Sequence, residues 1–244
     1  KGDKPTDIFL PQTPSLIDIM RAVKARLKEF EEMSGKEKKA NSSIPIVMYG
    51  IAKRAAIDTR LVSKIADDEP NSKTNKAVEE TLRSLKDSSK YKGTIAIFCD
   101  AQNRWDKDET GKKVKGFDLF EDIKAKLIAK GVAESEIMII KPGMTVARKE
   151  KIFDAVNAGE IRVVLGNTKT LGTGVNMQER LHTLIHMDAP DRPMDYTQRN
   201  GRILRQGNLH KEWGMPVRIL RFGVEDSLDV TSYQRLKTKS GFID

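Results

Sequence analysis

Short, fully apolar segments alternate with helical patterns in the chain from Thr94 onward. Strands that are apolar on both faces are typical of a parallel sheet that helices cover on both sides. The predicted strands are residues 94–99, 137–140, 161–165, 183–187 and 217–222. Helices are predicted at residues 117–130 and 145–158, each followed by a glycine that commonly ends a helix, Gly131 and Gly159. The pattern predicts a doubly wound α/β domain over residues 91–244, in which ligands bind beyond the carboxyl ends of the strands.

The first ninety residues have a different pattern, with helical periods separated by polar breaks. Apolar residues recur at helical spacing over residues 13–30, and Thr13 is expected to cap this helix. Residues 44–49 form a short apolar run that is expected to be a strand or the rim of a loop. Residues 53–65 are expected to form a second helix, and Ser72 is expected to cap a third. Residues 1–90 are therefore predicted to be a mostly helical, peripheral extension or linker region.

The composition favours a protein with a hydrophobic core and a polyanionic partner. The 244 residues are 38% hydrophobic, and 44 Lys and Arg against 35 Asp and Glu give a net charge of +9. This excess suits nucleic acid. The sequence has no apolar run long enough to span a membrane and no signal peptide at its start, so we expect no membrane partner and a cytoplasmic location. Cys99 is the only cysteine, and with three histidines it leaves few ligands, so no metal site is predicted.

Two loops at predicted strand ends carry groups that suit phosphate. Arg202 and Arg205 are three residues apart, so on a helix they project from one face and can both contact one phosphate chain. A solvated basic helix is the alternative, although glycines at positions 201 and 207 are unusual in a simple surface helix. Residues 165–178 leave a buried strand and enter a glycine-containing turn, whose N–H groups can hold a phosphate oxygen. No Walker A sequence, Gly-x-x-x-x-Gly-Lys-Ser/Thr, occurs in the chain.

Four patterns follow one another between residue 94 and about residue 222. They are a strand ending in Asp100, a Lys-Pro-Gly-Met turn at 141–144 followed by Arg148, a Thr-Lys-x-x-Gly-x-Gly-Val-Asn loop at 168–176, and Gln-x-x-Gly-Arg-x-x-Arg at 198–205. In this order they resemble motif IV, a phosphate-contacting stretch, motif V and motif VI of the C-terminal RecA-like lobe of superfamily 2 helicases and translocases. The form of motif V resembles that of the Snf2-like branch. The resemblance implies a RecA-like fold.

The resemblance also implies a role for each pattern. ATP and Mg²⁺ would lie between this lobe and an N-terminal RecA-like lobe of the same parent chain, and this chain alone would hold neither. The implied catalytic residues are the arginine fingers Arg202 and Arg205, with Gln198 orienting motif VI. The residues implied at the nucleotide are Gly172, Gly174 and Asn176. The residues implied at the DNA backbone are Asp100, Arg148, Thr168 and Lys169.

Simpler roles stay open for several of these residues. Asn176 caps its turn in one alternative, Thr168 ends its strand, and Arg148 is a solvated residue of a first helical turn. Asp100 also has a structural alternative. His182 and His186, near or at the end of an apolar strand, are expected to be core residues and not acids or bases. The two tryptophans, Trp105 and Trp213, are expected to be partly buried at the edge of the domain, with stacking on bases as the alternative.

A narrower resemblance is to the helicase portions of large phage and mobile-element proteins described as helicase/DNA methylases. It is carried by Ile-Asp-x-Arg-Leu at 57–61, Ser-Lys at 72–73 and His-Met-Asp-Ala-Pro at 186–190. The sequence departs from that pattern at Asp191, where an aromatic residue is expected. The Asp-Ala-Pro-Asp segment at 188–191 lacks the second proline and the aromatic ring that would hold a flipped base, so methylation is not expected of this chain.

Two functions of different kinds therefore follow from the sequence. The first is the second motor lobe of an ATP-dependent DNA helicase or translocase, inactive without the N-terminal ATP-binding lobe. The second is a non-catalytic nucleic-acid-binding or docking module with a RecA-like shape. Two arginines together with Gln198 favour the motor. Because the chain starts at Lys1 and not at a methionine, we also expect it to be part of a longer protein.

Overall fold

The computed structural model describes residues 4–171 and 176–240. A six-stranded parallel sheet forms its centre. The strands of this sheet are β1 (Thr6–Leu10), β2 (Thr94–Phe98), β5 (Ile137–Ile139), β6 (Val163–Gly166), β7 (Leu181–His186) and β8 (Arg218–Val224). Their order in the sheet is β1-β8-β7-β2-β6-β5. Between β2 and β5 the chain forms an antiparallel hairpin of β3 (Asn103–Lys107) and β4 (Lys113–Asp118).

Helices flank the sheet and lie between and after its strands along the chain. Those of the described residues are α1 (Pro14–Glu32), α2 (Gly35–Ala40), α3 (Ile44–Ile57), α4 (Lys73–Asp87), α5 (Leu119–Ala129), α6 (Val146–Ala158), α7 (Thr168–Leu171), α8 (Pro193–Leu204), α9 (Leu209–Glu212) and α10 (Leu228–Ser240). Short 3₁₀ turns lie at Thr59–Leu61, Ser89–Tyr91 and Glu134–Glu136. Among the residues described, no helix combines the length and the apolar character needed to cross a membrane.

Strand β2 shows why the sheet has helices on both sides. All five of its residues are buried, and successive side chains point to opposite faces. Ile95 and Ile97 belong to one hydrophobic cluster, together with residues of α4 and α5. Ala96 and Phe98 belong to a second cluster on the other face, together with residues of α6. The predicted α/β fold with a parallel sheet covered on both sides is thus confirmed.

The predicted elements after residue 90 agree closely with the structure. Each of the five predicted strands is present with its ends shifted by at most two residues, and α5 and α6 lie where helices were expected. Gly131 and Gly159 follow these helices with φ of 92° and 74°, the left-handed conformation that glycine adopts without strain. The β3–β4 hairpin was not predicted, because its strands carry charged residues and lack a continuous apolar face.

The prediction for residues 44–49 was wrong. These residues form the first turns of α3, which starts with Pro45 in its first turn, a position where proline favours a helix. The same helix includes Lys53 and ends at Ile57, so residues 53–65 are not one continuous helix. Asp58 has an extended backbone and its side chain caps the following 3₁₀ turn. The third predicted helix is α4, and Ser72 caps it by accepting a hydrogen bond from the N–H of Asn75 at 3.2 Å.

The expectation that residues 1–90 are peripheral was also wrong in two places. Strand β1 extends the sheet by pairing with β8, in a register that puts Thr6 opposite Leu220. Helix α4 contributes Ala77 and Val78 to the main core cluster, where both are buried. These residues are mostly helical, as expected, but part of them completes the sheet and its core. The domain boundary at residue 90 stays a prediction.

Candidate functional site

A buried arginine on α8 connects the loops at the carboxyl ends of three neighbouring strands. The side chain of Arg199 has no exposed surface. Its Nε donates to Thr168 Oγ1 at 2.9 Å, and Nη2 donates to Asp100 Oδ2 at 2.7 Å. Its Nη1 donates to both the side-chain and the main-chain oxygen of Asp188, each at 3.1 Å. One guanidinium group therefore fixes α8 against the ends of β2, β6 and β7.

Asp100 and Thr168, both predicted at the DNA backbone, lie in direct contact. Asp100 accepts hydrogen bonds from the Thr168 N–H at 2.7 Å and from its hydroxyl at 2.9 Å. The N–H of Asp100 in turn donates to Asp188 Oδ2 at 2.8 Å. Thr168 is buried, whereas 38% of the Asp100 side chain is exposed. Asp100 is thus the solvent-facing member of this network, and Thr168 is held beneath it.

The two basic residues predicted at the DNA backbone are exposed. Lys169 follows Thr168 on α7, so it lies at the same end of β6. Arg148 lies in the first turn of α6, where its N–H is capped by Thr145 Oγ1 at 3.3 Å. Helix α6 follows β5, the neighbour of β6 in the sheet. All four predicted DNA-contacting residues therefore lie at the carboxyl edge of the sheet, on the segments that follow β2, β5 and β6.

Arg202 and Arg205 lie close together at the end of α8. The helix ends at Leu204, and Arg205 follows it with φ of −64° and ψ of 154°. This φ is helical, so the Cβ of Arg205 keeps the direction that it would have on the helix, and the pairing on one helical face stays a prediction. The two groups interact, because burial and then the Arg205 charge lower the pKa of the half-buried Arg202. Gln198, which is half-buried, lies one turn before Arg202 on the same helix.

Asn176 lies beside Arg205. Its side-chain oxygen accepts a hydrogen bond from Arg205 Nη1 at 3.3 Å, and its main-chain oxygen accepts one from Asn157 Nδ2 at 2.9 Å. The structure thus brings one predicted nucleotide-contacting residue to one predicted arginine finger. Gly172 and Gly174, the other two residues predicted at the nucleotide, lie outside the described residues.

His186 is part of the buried network and not an acid or a base. Burial, with a further contribution from the Arg199 charge, lowers the pKa of His186 to about 3. Its Nδ1 lies 3.4 Å from Arg199 Nη1, which can only donate, and its Nε2 lies 2.8 Å from Asn200 Oδ1. The neutral ring therefore carries its proton on Nε2. His182 is also buried, with its pKa lowered to about 4 by burial and then by His210, so the expected core role of both histidines is confirmed.

Sequence reasoning missed the central position of Arg199 and its partner Asp188. Arg199 counted only as one of several basic residues in its segment. A pattern that would have revealed its burial is its spacing, four residues before Ile203, which puts both side chains on the buried face of α8.

Among the described residues, no group of three His, Cys, Asp or Glu side chains is placed to hold a metal ion.

The family of the chain follows from a sequence comparison. The helicase conserved C-terminal domain family matches residues 73–207, which is more than half of the chain. The chain belongs to this family. The match extends from the start of α4 past Arg205, so it covers the whole Arg199 network and every predicted site residue of this helicase C-terminal domain. Comparison with curated protein sequences finds no match.

Solved structures confirm the fold of this helicase C-terminal domain. It is similar to the C-terminal part of the Fun30 ATPase domain, with a TM-score of 0.61 and 16% identity over 96% of this chain and 89% of that one. It is also similar to the Sulfolobus solfataricus SWI2/SNF2 ATPase core in complex with dsDNA, with a TM-score of 0.59 and 17% identity. That match covers 98% of this chain and 44% of the ATPase core. The similarity to helicase/DNA methylase proteins stays a prediction.

Proposed function

We propose that this helicase C-terminal domain is the second motor lobe of an ATP-dependent DNA helicase or translocase. It would work with an N-terminal RecA-like lobe of the same parent chain. The observation that carries the proposal is the pair Arg202 and Arg205 at the end of α8, beside Asn176. Burial and then the positive charge of Arg205 lower the pKa of Arg202, so the two charges repel each other, and a polyanion between them would relieve that repulsion.

The residues at the end of α8 fit the polyphosphate of ATP. Two guanidinium groups offer several N–H donors to phosphate oxygens and require no metal ligand from this chain. ATP with Mg²⁺, held mainly by the other lobe, would supply the phosphoryl group whose transfer to water drives the motor. Asn176 holds Arg205 in position through the 3.3 Å hydrogen bond, and Gln198 would orient α8. Gly172 and Gly174 belong to the same proposed nucleotide site.

The loops at the carboxyl edge of the sheet fit a DNA backbone. Lys169 and Arg148 are exposed cations that can neutralise phosphates, and Thr168 and Asp100 are held in place by Arg199. Arg199 thus joins the proposed DNA-contacting loops to the helix that carries the arginine fingers. Support for DNA as the partner also comes from the similar SWI2/SNF2 ATPase core, whose structure is in complex with dsDNA.

The experiment that tests this function measures ATP turnover by the parent protein at saturating DNA. We expect Arg205→Ala to lower turnover by about a thousandfold, the scale on which arginine fingers act, with little change in DNA affinity. Arg205→Lys should restore only a small part of the rate, because it keeps the charge and loses the planar fork. Arg192→Ala, at an exposed arginine just before α8, is the matched control and should be near wild type. Near-normal turnover of both Arg205 variants would instead support a non-catalytic binding module.

A second measurement uses the 244-residue chain by itself. Because its sequence contains no Walker A loop, we expect no measurable ATP hydrolysis with any DNA. DNA-stimulated turnover by this chain would contradict the two-lobe proposal.

The resemblance to helicase/DNA methylase proteins further predicts a methylase domain elsewhere in the parent, and the parent sequence would show whether its motifs are present.

A further inference from the structure

The β3–β4 hairpin has one face that carries a tryptophan and three lysines. Its register puts Trp105 opposite Lys115, and Lys107 opposite Lys113. Since side chains two residues apart on a strand share a face, all four lie on the same face. All four are exposed, and 51% of the Trp105 surface is accessible. We call these four residues the Trp–Lys face.

The opposite face of the hairpin is packed against the protein. Arg104 donates from Nη1 to the main-chain oxygens of Arg60 and Ser63, both at 2.7 Å. It also forms an ion pair with Asp106 at 3.1 Å, so this acidic side chain points away from the Trp–Lys face. Arg54 fixes the start of β3 by donating to the Asn103 main-chain oxygen at 2.5 Å. The hairpin is thus anchored on one face and open on the other.

Two acidic residues near the Trp–Lys face, Asp108 and Asp118, already have partners. At the tip of the hairpin, Asp108 accepts hydrogen bonds from the N–H groups of Thr110 and Lys112, each at 2.9 Å. At the base, Asp118 forms an ion pair with Lys115 and also caps α5 through the N–H of Phe120. Lys107 and Lys113 thus give the outer half of the face its positive charge.

The two tryptophans of the chain differ in what their rings contact. Trp213 is stacked on Tyr91, with ring centroids 4.7 Å apart and planes inclined by 26°. Trp105 has the Lys113 ammonium over its ring, 4.7 Å from the centroid, a cation–π contact that a base would displace from that face of the exposed ring. A base can stack on such a ring while the neighbouring ammonium groups contact the phosphates of its strand. In a duplex the bases are already stacked on each other, so this combination fits a single strand.

We propose that the Trp–Lys face binds single-stranded DNA, with one base stacked on Trp105 and the backbone held by Lys107 and Lys113. The hairpin starts at Asn103, three residues after Asp100, so its base lies at the same carboxyl edge of the sheet as the loops proposed to hold the DNA backbone. The proposal rests on the proposed function in one respect, since the strand comes from the DNA on which the motor works. It adds a second contact, separate from those loops.

The test uses the 244-residue chain with a Trp213→Phe substitution, which leaves Trp105 as the only tryptophan. Its fluorescence should be quenched on titration with an oligothymidylate of about 20 nucleotides, which can span a site of this kind. With a labelled oligonucleotide, Trp105→Ala should weaken binding by about tenfold, within the range for loss of one stacked base. The combined change Lys107→Gln, Lys113→Gln and Lys115→Gln should also weaken binding of the oligonucleotide. It should reduce the slope of the logarithm of the affinity against the logarithm of the salt concentration by about two.

The matched control removes the same charge at the opposite edge of the sheet. It combines Lys86→Gln, Lys90→Gln and Lys130→Gln, three exposed residues in or just after the last turns of helices that lead back to the amino ends of strands. This variant should bind the oligonucleotide within about twofold of wild type, apart from a small long-range effect of charge. The free energy of unfolding of every variant should change by less than about 0.5 kcal/mol, since the substituted side chains are exposed.

The outcomes separate this proposal from the proposed function. If the Trp–Lys variants bind normally and Lys169→Gln binds weakly, the face is not a DNA site and the motor proposal stands. If the Trp–Lys variants bind weakly and the Arg205 variants of the parent turn over normally, the face stands and the motor proposal fails. Absence of quenching in the Trp213→Phe chain overturns the proposal for the face. An equal loss of duplex binding in Trp105→Ala overturns the assignment to a single strand.

Discussion

Arg199 shows how much a single buried charge contributes to this fold. The group has no exposed surface and is paired with Asp188, whose side chain is 2% exposed. Replacing Arg199 with methionine keeps most of the volume but leaves the Asp188 carboxylate buried without its cation. We expect the free energy of unfolding in urea to fall by about 3–5 kcal/mol, the cost of breaking a buried pair by removing one partner. Arg192→Met, at an exposed position, should change it by less than about 0.5 kcal/mol.

The buried histidines predict that the protein loses stability in mild acid. Burial lowers the pKa of His182 to about 4 and that of His186 to about 3, whereas both have a pKa near 6.5 when unfolded. Below pH 6.5 the unfolded chain therefore binds more protons than the folded one, and stability falls as the pH falls toward these values. Between pH 7 and pH 5.5 the loss should be about 1 kcal/mol for each histidine. Urea unfolding at both pH values measures this loss in the free energy of unfolding, and the loss should be smaller in His186→Gln than in the wild-type protein.

The residues of the site were partly predictable from sequence for a physical reason. Carboxyl ends of parallel strands meet at one edge of a sheet, so Asp100 and Thr168 could be expected near each other once β2 and β6 were recognised. The depth of Arg199 was not predictable from its charge, because an arginine is usually solvated and is buried only when partners from distant segments converge on it. Those partners, at positions 100, 168 and 188, lie on three separate loops.

At the level of single helices, two serines offer a matched test of capping. Ser72 caps α4 with its side chain, whereas Ser43 occupies the same position before α3 and makes no such hydrogen bond. We expect Ser72→Ala to lower the free energy of unfolding by about 1 kcal/mol and Ser43→Ala to change it by a few tenths at most. Chemical denaturation of the two variants decides the point. Equal effects would show that the cap contributes nothing beyond the helix propensity of alanine.

Elements were predictable where one local pattern determined them. The buried strands β2 and β7 are short apolar runs, and no helix of a few residues could bury every side chain in that way. Residues 44–49 are equally apolar, but their conformation depends on the proline that starts α3 and on packing against α1. Strand β1 was missed because it has only five residues and its partner, β8, is distant in the chain.

For the whole molecule, the structure predicts that residues 91–244 do not fold without the preceding segment. A fragment that starts at residue 91 lacks β1 and α4, and so exposes the outer edge of β8 and the core residues that α4 covers. We expect this fragment to keep helical far-ultraviolet circular dichroism but to lose its near-ultraviolet signal and its cooperative urea transition. The full chain serves as the control. A cooperative transition of the fragment would instead support the domain boundary at residue 90.

Strand β1 has a consequence for the order in which the protein forms during synthesis. The residues of β1 leave the ribosome before those of β8, the strand beside it, since the paired residues Asp7 and Arg221 are 214 positions apart. Until β8 inserts between β1 and β7, the first strand has no neighbour in the sheet and its backbone groups are open to other chains. That edge therefore stays unpaired while the 214 positions up to its partner are synthesised, and pairing across so long a loop is itself slow. The nascent protein should therefore depend on chaperones until residue 224 has emerged.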